Sequence, residues 1–323
     1  MLTRRRVVAG LAGLFLTNAI GGEDAQALTK KRSRKNSQPK AAKKIEAVLP
    51  NTLDPQVLTS PTKQVVFYAP HPDDELLSFG VIASEYIALG YEVIYVLLTS
   101  GSTSVAIKLI NGELPSPGNG TRFVYKGTHN PATAGYAPLS LADVGRARVA
   151  EFKSSAGEMS VTPDHIYTFD LLKENELPVN DVLSVMRDMA ARYPQAIHWT
   201  MSTIDIHPHH RAAGEALRLL AAESSIQTGY TISRTTWNAL SSQMEKPAIS
   251  LPMTYFFKPS IDRMQRVRNA ALPYNAWNPQ VGSYAIGYSS VPRQFEALES
   301  KGDAQYSIAT PPADSVKIWI TSL

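Results

Sequence analysis

The sequence predicts an α/β protein with a mostly parallel sheet that carries helices on both faces. Short apolar segments, rich in β-branched and aromatic residues, alternate with longer segments of helical apolar spacing. This alternation is typical of a parallel sheet covered on both faces. Clusters of histidine and aspartate follow two of the predicted strands. We therefore predict a Rossmann-like fold with its functional site at the carboxyl ends of the strands, where α/β sheets place their ligands.

The first three elements are predicted from apolar segments and a stop signal. Residues 64–69 are short, apolar and mostly β-branched or aromatic, which predicts a strand. Residues 76–89 have helical apolar spacing, and Gly90 is a typical residue for ending a helix. Residues 91–98 predict the second strand of the sheet.

The same alternation continues along the chain. Later elements are predicted at 139–160 (helix), 165–169 (strand), 181–193 (helix), 196–200 (strand), 211–217 (helix) and 255–258 (strand). No internal repeat and no second domain boundary are evident, so residues 61–323 are predicted to form one catalytic domain. The connection 100–138 is long and carries many Gly, Pro, Ser and Thr residues, and we expect it to form a wall of a substrate cleft.

The stretch His71-Pro72-Asp73-Asp74-Glu75 is the most informative feature of the chain. It follows a predicted buried strand and opens a predicted helix. His71 and Asp74 are three residues apart and can face one point in space. Asp73 must point elsewhere and is free to handle a proton. The stretch therefore predicts a metal site with a base beside it.

A second source of ligands is predicted at His207-Pro208-His209-His210, between a predicted strand and a predicted helix. Four of the seven histidines of the chain fall in these two turns, which favours a metal site over surface decoration. Two histidines and one carboxylate form a common catalytic zinc shell that leaves a fourth position open for water. Iron or cobalt would also suit such ligands.

These two stretches resemble the signatures of the LmbE/PIG-L family of zinc-dependent N-acetylglucosaminyl deacetylases. That family has an Ala-His-Pro-Asp-Asp-Glu turn, in which Pro70 replaces the alanine here. Its His-Pro-Asp-His signature is matched at 207–210 except at His209. The order and rough spacing agree from about residue 64 to 222, and the resemblance fades beyond.

Two weaker elements support the resemblance. Arg148-Val149-Ala150-Glu151 matches an Arg-x-x-Glu element that opens a helix in the family. Residues 99–101, Thr-Ser-Gly, partly match a Thr-Asp-Gly element. Beyond residue 222, five aromatic residues either stack on sugar rings or pack in the core, and the sequence leaves both possibilities open: Trp237, Tyr255, Tyr274, Trp277 and Tyr284.

The resemblance implies a role for each matching residue. It implies a zinc ligand set made of His71, Asp74 and His210. Asp73 is implied to be the general base that activates a zinc-bound water. His207 is implied to be the protonated partner that stabilises the oxyanion or protonates the leaving amine. Arg148 is implied to contact sugar hydroxyls.

His209 departs from the family, which has an aspartate at this position. An aspartate would help to hold the neighbouring His207 charged, whereas a histidine would tend to lower the pKa of His207. We therefore expect the acid limb of the pH–rate profile to lie lower than in relatives, or the activity to be weak. The profile of a His209→Asp variant, compared with that of the wild type, tests this expectation.

The N-terminus predicts export. Thr3-Arg4-Arg5-Arg6 precedes a short apolar run at 7–16, and Ala25-Gln26-Ala27 is a small-x-small cleavage site. This pattern predicts a signal peptide of twin-arginine type over residues 1–27, and hence a periplasmic or extracellular protein. The apolar run is too short to span a membrane comfortably, which argues against an uncleaved anchor.

The basic character of the chain is confined to residues 28–60. Eight Lys and Arg residues, against Glu46 and Asp54, give this segment a net charge of about +6, while the body from Pro61 onward is near −3. We predict a flexible, solvated linker; a tether to anionic lipid or wall polymer is the alternative. Nucleic-acid binding is not expected, because the body has no basic stripe with interleaved aromatics. The chain has no cysteine, which excludes thiolate metal sites and cysteine nucleophiles.

Together these observations predict an exported zinc hydrolase that removes the acetyl group from an N-acetylated amino sugar, carried by a small molecule or a glycan. Two alternatives stay open. One is a hydrolase of another N-acyl amide, and the other is a metal-containing carbohydrate-binding protein without turnover. Asp73 argues against the last alternative, since binding alone has no need of a base.

Overall fold

The computed structural model describes residues 58–113, 129–236, 255–257, 261–299 and 307–310. The strands in these ranges are β1 (Gln64–Ala69), β2 (Glu92–Leu97), β3 (Ile166–Thr168), β4 (Ile197–Met201), β5 (Gln227–Ile232), β6 (Tyr255–Phe257), β7 (Trp277–Asn278), β8 (Ser283–Tyr284) and β9 (Ser307–Thr310). Seven of these described strands form one sheet in the order β3-β2-β1-β4-β5-β9-β6, and β7 pairs with β8 in a separate hairpin.

Parallel pairing dominates the sheet. β1 pairs in parallel with β2 and β4, β2 with β3, and β4 with β5. β9 runs antiparallel to both β5 and β6 at the far side of the sheet. The predicted mostly parallel α/β fold is therefore confirmed. The sequence analysis missed β5 because its segment, Gln-Thr-Gly-Tyr-Thr-Ile, has neither a continuous apolar run nor a clean alternation.

Helices cover both faces of this sheet. Those of the described residues are α1 (Asp74–Leu77), α2 (Gly80–Ala88), α3 (Ala106–Ile110), α4 (Pro131–Ala134), α5 (Leu141–Glu158), α6 (Val179–Arg192), α7 (Pro208–Glu223), α8 (Ile261–Ala271), α9 (Ile286–Ser290) and α10 (Pro292–Glu299). The single helix predicted at 76–89 is two helices, α1 and α2. It is interrupted because the N–H groups of Ser78 and Phe79 both donate to Asp74 O.

β1 shows why both faces need cover. Val65, Phe67 and Ala69 belong to the core beneath α1, α2, α5 and α8. Val66 and Tyr68 point the other way, into the core beneath α6 and α7. All five side chains are fully buried, and burying a large apolar side chain stabilises a fold by about 1.5–3 kcal/mol. The continuous apolar sequence of β1 is thus explained by its central place in a two-sided sheet.

Several predicted segments lie outside the described residues. These are the signal peptide at 1–27, nearly all of the basic linker at 28–60, and residues 114–128 of the long connection. The described parts of that connection contain the short helices α3 and α4. Among the helices that the structure describes, none has the length and apolar character needed to cross a bilayer.

Gly214 allows α7 to approach β4 closely. A Cβ at this position would lie 2.7 Å from Met201 O and 2.7 Å from Thr203 N, and both are backbone atoms that cannot move aside cheaply. We expect Gly214→Ala to lower the free energy of unfolding by about 1–3 kcal/mol, as overpacking does. Chemical denaturation measures this loss.

Gly157→Ala in α5 is the matched control, because a Cβ at Gly157 would meet no heavy atom within 4 Å. Alanine is the better helix former, so we expect the free energy of unfolding to stay the same or to rise by up to about 1 kcal/mol. An equal loss of stability in both variants would contradict the close approach of α7 to β4.

Candidate metal centre

The carboxyl ends of β1 and β4 bring the two histidine motifs together. The motif that starts at His71 follows β1, and the motif that starts at His207 follows β4 and opens α7. β1 and β4 are parallel neighbours, with Val65 paired to Ile197, so both strands end on the same side of the sheet. The 130 or more residues between the two motifs are therefore bridged by ordinary parallel pairing.

Three predicted ligand atoms converge at this point. His71 Nδ1 lies 3.1 Å from Asp74 Oδ2, His210 Nε2 lies 3.2 Å from Asp74 Oδ2, and His210 Nε2 lies 3.3 Å from His71 Nδ1. Ligand bonds of roughly 2.0–2.1 Å in a tetrahedral shell place ligand atoms about 3.3 Å apart. The three atoms therefore fit three corners of such a shell. That they bind a metal stays a prediction.

The protonation states of these groups also suit a cation. Burial lowers the pKa of His71 to about 4, so its imidazole is neutral, the form that binds metals. Burial by itself would raise the pKa of Asp74, but His210 and His71 hold it well below its usual range. Burial opposes a charge on His210, yet Asp74 and Asp205 raise its pKa to about 10. A divalent cation at the same atoms would replace the proton of His210.

Asp205 is a site residue that the sequence analysis missed. It is 1% exposed, and its Oδ1 lies 3.1 Å from His210 Nδ1. Asp205 also accepts hydrogen bonds from the backbone N–H groups of His207 at 3.0 Å and Ser233 at 2.7 Å. These partners outweigh its burial and lower its pKa to about 2. A carboxylate behind a ligating imidazole fixes the ring orientation, and an acidic residue two positions before His207 was the available signal.

Asp73 sits in a strained backbone conformation beside the three converging atoms. Its φ of 115° and ψ of −27° lie in the left-handed region, which costs a residue other than glycine about 1–3 kcal/mol. Glu75 Oε2 accepts the Asp73 N–H at 2.9 Å and helps to hold this conformation. Burial raises the pKa of Asp73 to about 7, although the neighbouring Arg148 opposes the rise. A carboxyl group with such a pKa can accept a proton near neutral pH.

Arg148 forms an ion pair with Asp73. Its guanidinium donates to Asp73 Oδ2 at 2.6 Å and to Pro72 O, and the side chain is only 5% exposed. Gly101 makes room for this arrangement, because its φ is 66° and a Cβ there would lie 3.1 Å from the guanidinium. The predicted contact of Arg148 with sugar hydroxyls stays a prediction.

Glu75 links the site to the C-terminal helices. It is fully buried, its Oε1 accepts the Tyr274 hydroxyl at 2.7 Å, and burial raises its pKa to about 8. Tyr274 is also fully buried, so its ring packs in the core and does not face a ligand. Glu151, the acid of the Arg-x-x-Glu element, accepts the N–H groups of Ile286 and Gly287 at the start of α9. The sequence showed these acids but not their partners.

His207 caps the start of α7. Its Nδ1 accepts the His209 N–H at 3.2 Å, so in the neutral ring Nε2 carries the hydrogen. Burial lowers the pKa of His207 to about 3, and His71 and His210 contribute to this shift. His209 acts in the predicted direction, but burial and the other two histidines contribute more. A neutral His207 is a hydrogen-bond donor through Nε2.

The sequence matches one family model. Residues 66–221 match PIG-L, described as GlcNAc-PI de-N-acetylase. A comparison with curated proteins found no match.

Solved structures with a similar chain course include enzymes of more than one reaction type. The A40926 pseudoaglycone deacetylase Dbv21 is 18% identical, with a TM-score of 0.49 over 78% of this chain and 97% of that chain. The N,N'-diacetylchitobiose deacetylase of Pyrococcus horikoshii is 16% identical, with a TM-score of 0.46 over 77% and 84%. The 4-carboxy-2-hydroxymuconate hydratase GalB of Pseudomonas putida KT2440 is 14% identical, with a TM-score of 0.45 over 76% and 94%. Identities this low leave the reaction to be inferred from the site residues.

The family match covers both histidine motifs and the Arg-x-x-Glu element, and it confirms the resemblance drawn from those residues. Residues 66–221 of the chain therefore form a domain that matches the PIG-L (LmbE-like) family model.

Proposed function

We propose that this protein is an exported, zinc-dependent hydrolase that removes the acetyl group from an N-acetylated amino sugar. The observation that carries the proposal is the placement of Asp73 next to the three converging ligand atoms. The pKa of the Asp73 carboxyl group is about 7, whereas the pKa of the Asp74 carboxyl group lies well below its usual range, so Asp74 stays ionised. Two neighbouring carboxylates with such different pKa values are suited to different roles, one to accept a proton and the other to bind a cation.

The chain supplies groups for each proton and charge in the hydrolysis of an amide. A divalent metal ion held by His71, Asp74 and His210 would polarise the acetyl carbonyl and lower the pKa of a bound water toward roughly 7. Asp73 would accept the proton of the attacking water and pass it to the departing amine nitrogen as the carbon–nitrogen bond breaks, so that acetate and a free amine are formed. His207 would donate a hydrogen bond from Nε2 to the developing oxyanion, which requires no extra proton on its ring.

Arg148 would set the working range of Asp73. Its guanidinium favours the ionised carboxylate and so limits how far burial raises the pKa of Asp73. The ion pair also fixes the direction of the Asp73 carboxylate. A sugar hydroxyl would reach only a small exposed part of Arg148, so we assign this residue first to Asp73 and second to the substrate.

The metal, the substrate and the location rest on separate observations. Zinc is proposed because two imidazoles and one carboxylate are a typical set of zinc ligands, although iron or cobalt would also suit them. The amino sugar is proposed from the family description. Export is proposed from the sequence pattern of residues 1–27, and contact with a lipid or wall polymer would involve only the basic segment 28–60.

A binding protein without turnover is the weaker alternative. Asp73 is held in a strained conformation, and such strain in a folded protein is typical of functional sites. Sugar binding alone would not require a strained carboxylate with a raised pKa. Hydrolysis of another N-acyl amide would use the same residues and differs only in the substrate.

Asp73→Asn should lower acetate release by about 100-fold or more, because general base catalysis contributes that much or more. Asparagine tolerates a positive φ, so the turn should be retained. The measurement is acetate release from a panel of N-acetylglucosaminides by zinc-loaded protein, together with the zinc content of the variant, which should be unchanged.

Asp164→Asn is the matched control for this variant. Asp164 is exposed and lies just before β3, at the opposite end of the sheet from the metal centre. Its substitution should leave acetate release unchanged. Full activity in Asp73→Asn would exclude Asp73 as the base. If the zinc-loaded wild type releases acetate from none of the substrates, hydrolysis of another acyl amide or binding alone is favoured.

Removal of the metal should abolish acetate release and lower the stability of the fold. Without a cation, the protonated His210 remains as the positive charge beside Asp74, and the stabilisation that metal binding adds is lost. A ligand at 1,000 times its dissociation constant stabilises a protein by about 4 kcal/mol, so added zinc should raise the melting temperature clearly. Dialysis against a chelator, followed by return of zinc, cobalt or iron, measures both effects. Full activity after proven removal of all metal would exclude the metal-dependent mechanism.

A further inference from the structure

His209 contacts the proposed metal ligand His71. Its Nδ1 lies 2.9 Å from His71 Nε2, on the opposite side of the His71 ring from the metal centre. The other ring nitrogen of His71, Nδ1, faces Asp74 Oδ2 and His210 Nε2. The two ring nitrogens of His71 are therefore divided between the metal centre and His209.

The hydrogen-bond partners fix which nitrogens carry hydrogen. His209 Nε2 lies 2.9 Å from Asn175 O, and a carbonyl oxygen can only accept. In its neutral form His209 therefore carries its hydrogen on Nε2 and its lone pair on Nδ1. That lone pair accepts the hydrogen of His71 Nε2, which leaves the lone pair of His71 on Nδ1. This is the atom that must be free to bind a metal.

A tight turn holds the far end of this chain of hydrogen bonds. Lys173 and Glu176 exchange two backbone hydrogen bonds, of 2.9 and 2.8 Å. The two residues between them, Glu174 and Asn175, have φ angles of 49° and 66°. Two left-handed central residues are typical of a type I′ turn, and asparagine is among the residues that adopt this conformation readily. The carbonyl of Asn175 is thus presented to His209 by backbone geometry.

We propose that His209 is a positioning residue that fixes the tautomer and the ring orientation of His71 for metal binding. The proposal rests on the metal centre of the proposed function and adds an outer partner to it. Residues that accept a hydrogen bond from a ligating imidazole tune metal affinity by about 10- to 100-fold. An acceptor is what this role requires, and the lone pair on His209 Nδ1 supplies it.

A second metal ion is the competing explanation for the same cluster. His71, His207 and His209 also bring ligand atoms within 4.8 Å of one another. Such an ion would have to share His71, whose Nδ1 already faces the first centre, and would have to displace the hydrogen bond from His71 to His209. The stoichiometry of bound metal therefore separates the two explanations.

The test compares His209→Ala, which removes the acceptor, with His209→Asn, whose Oδ1 replaces Nδ1 as an acceptor. Zinc affinity is measured by competition with a chelator, and the cobalt-substituted proteins are compared by their visible absorption. We expect His209→Ala to bind zinc roughly 10- to 100-fold more weakly and to show an altered cobalt spectrum. His209→Asn should regain most of the affinity and the spectrum.

His165→Ala is the matched control. His165 lies just before β3, with its Nε2 3.2 Å from Glu92 at the start of β2, so it is at the opposite end of the sheet. It should bind zinc as the wild type does. Thermal unfolding of each variant shows that the comparison is made between folded proteins.

Three results would overturn the proposal. They are unchanged zinc affinity in His209→Ala, no recovery in a folded His209→Asn, and more than one zinc ion per wild-type chain. A wild type that binds no zinc would remove the metal centre and this proposal together. A wild type that binds zinc but releases no acetate would overturn the proposed deacetylase activity and leave the role of His209 standing.

Discussion

The burial of carboxylates at one end of the sheet is the constraint on which the site depends. Asp73, Asp74, Glu75, Glu151 and Asp205 are each at most 7% exposed, and an isolated buried charge is strongly unfavourable. Each carboxylate is compensated by different partners, and their pKa values therefore diverge. Asp74 and Asp205, which face His210, stay ionised, while the pKa values of Asp73, Glu75 and Glu151 are raised to about 7 or 8. This divergence allows neighbouring acids to bind a cation, hold a proton and brace the backbone.

The fold makes this burial possible by closing the site from several directions. Parallel pairing of β1 and β4 brings the histidine motifs together. Helix α5, which covers one face of the sheet, supplies Arg148. Tyr274 reaches Glu75 from the segment after α8, which lies about 200 residues further along the chain. Glu75 in turn accepts a hydrogen bond from the backbone N–H of Asp73, the residue with the strained conformation. The C-terminal residues thus influence the proposed base through a buried chain of hydrogen bonds, although they lie outside the family match.

The sequence predicted those parts of the site that depend on local pattern. β1 was recognisable because it is buried on both faces, and His71, Asp74 and His210 were recognisable because each follows a strand end. Three contacts were not recognisable, because each depends on an approach between elements that sequence spacing does not fix. They are the contact of Asp205 with His210, the ion pair of Arg148 with Asp73 and the hydrogen bond from Tyr274 to Glu75. The interruption between α1 and α2 was missed for a related reason, since Asp74 O receives two backbone N–H groups only in the folded turn.

His209 shows how sequence neighbours and spatial neighbours differ in their effects. From the sequence, its expected influence was on His207, two positions away. At the start of α7, however, the backbone turns the His209 ring toward His71. The other ring nitrogen of His209, Nε2, donates a hydrogen bond to the carbonyl oxygen of Asn175. An aspartate and a histidine differ in charge, but both can accept a hydrogen bond from His71. The departure from the family signature is therefore compatible with a working metal centre, because the geometry at this position requires an acceptor and does not require a negative charge.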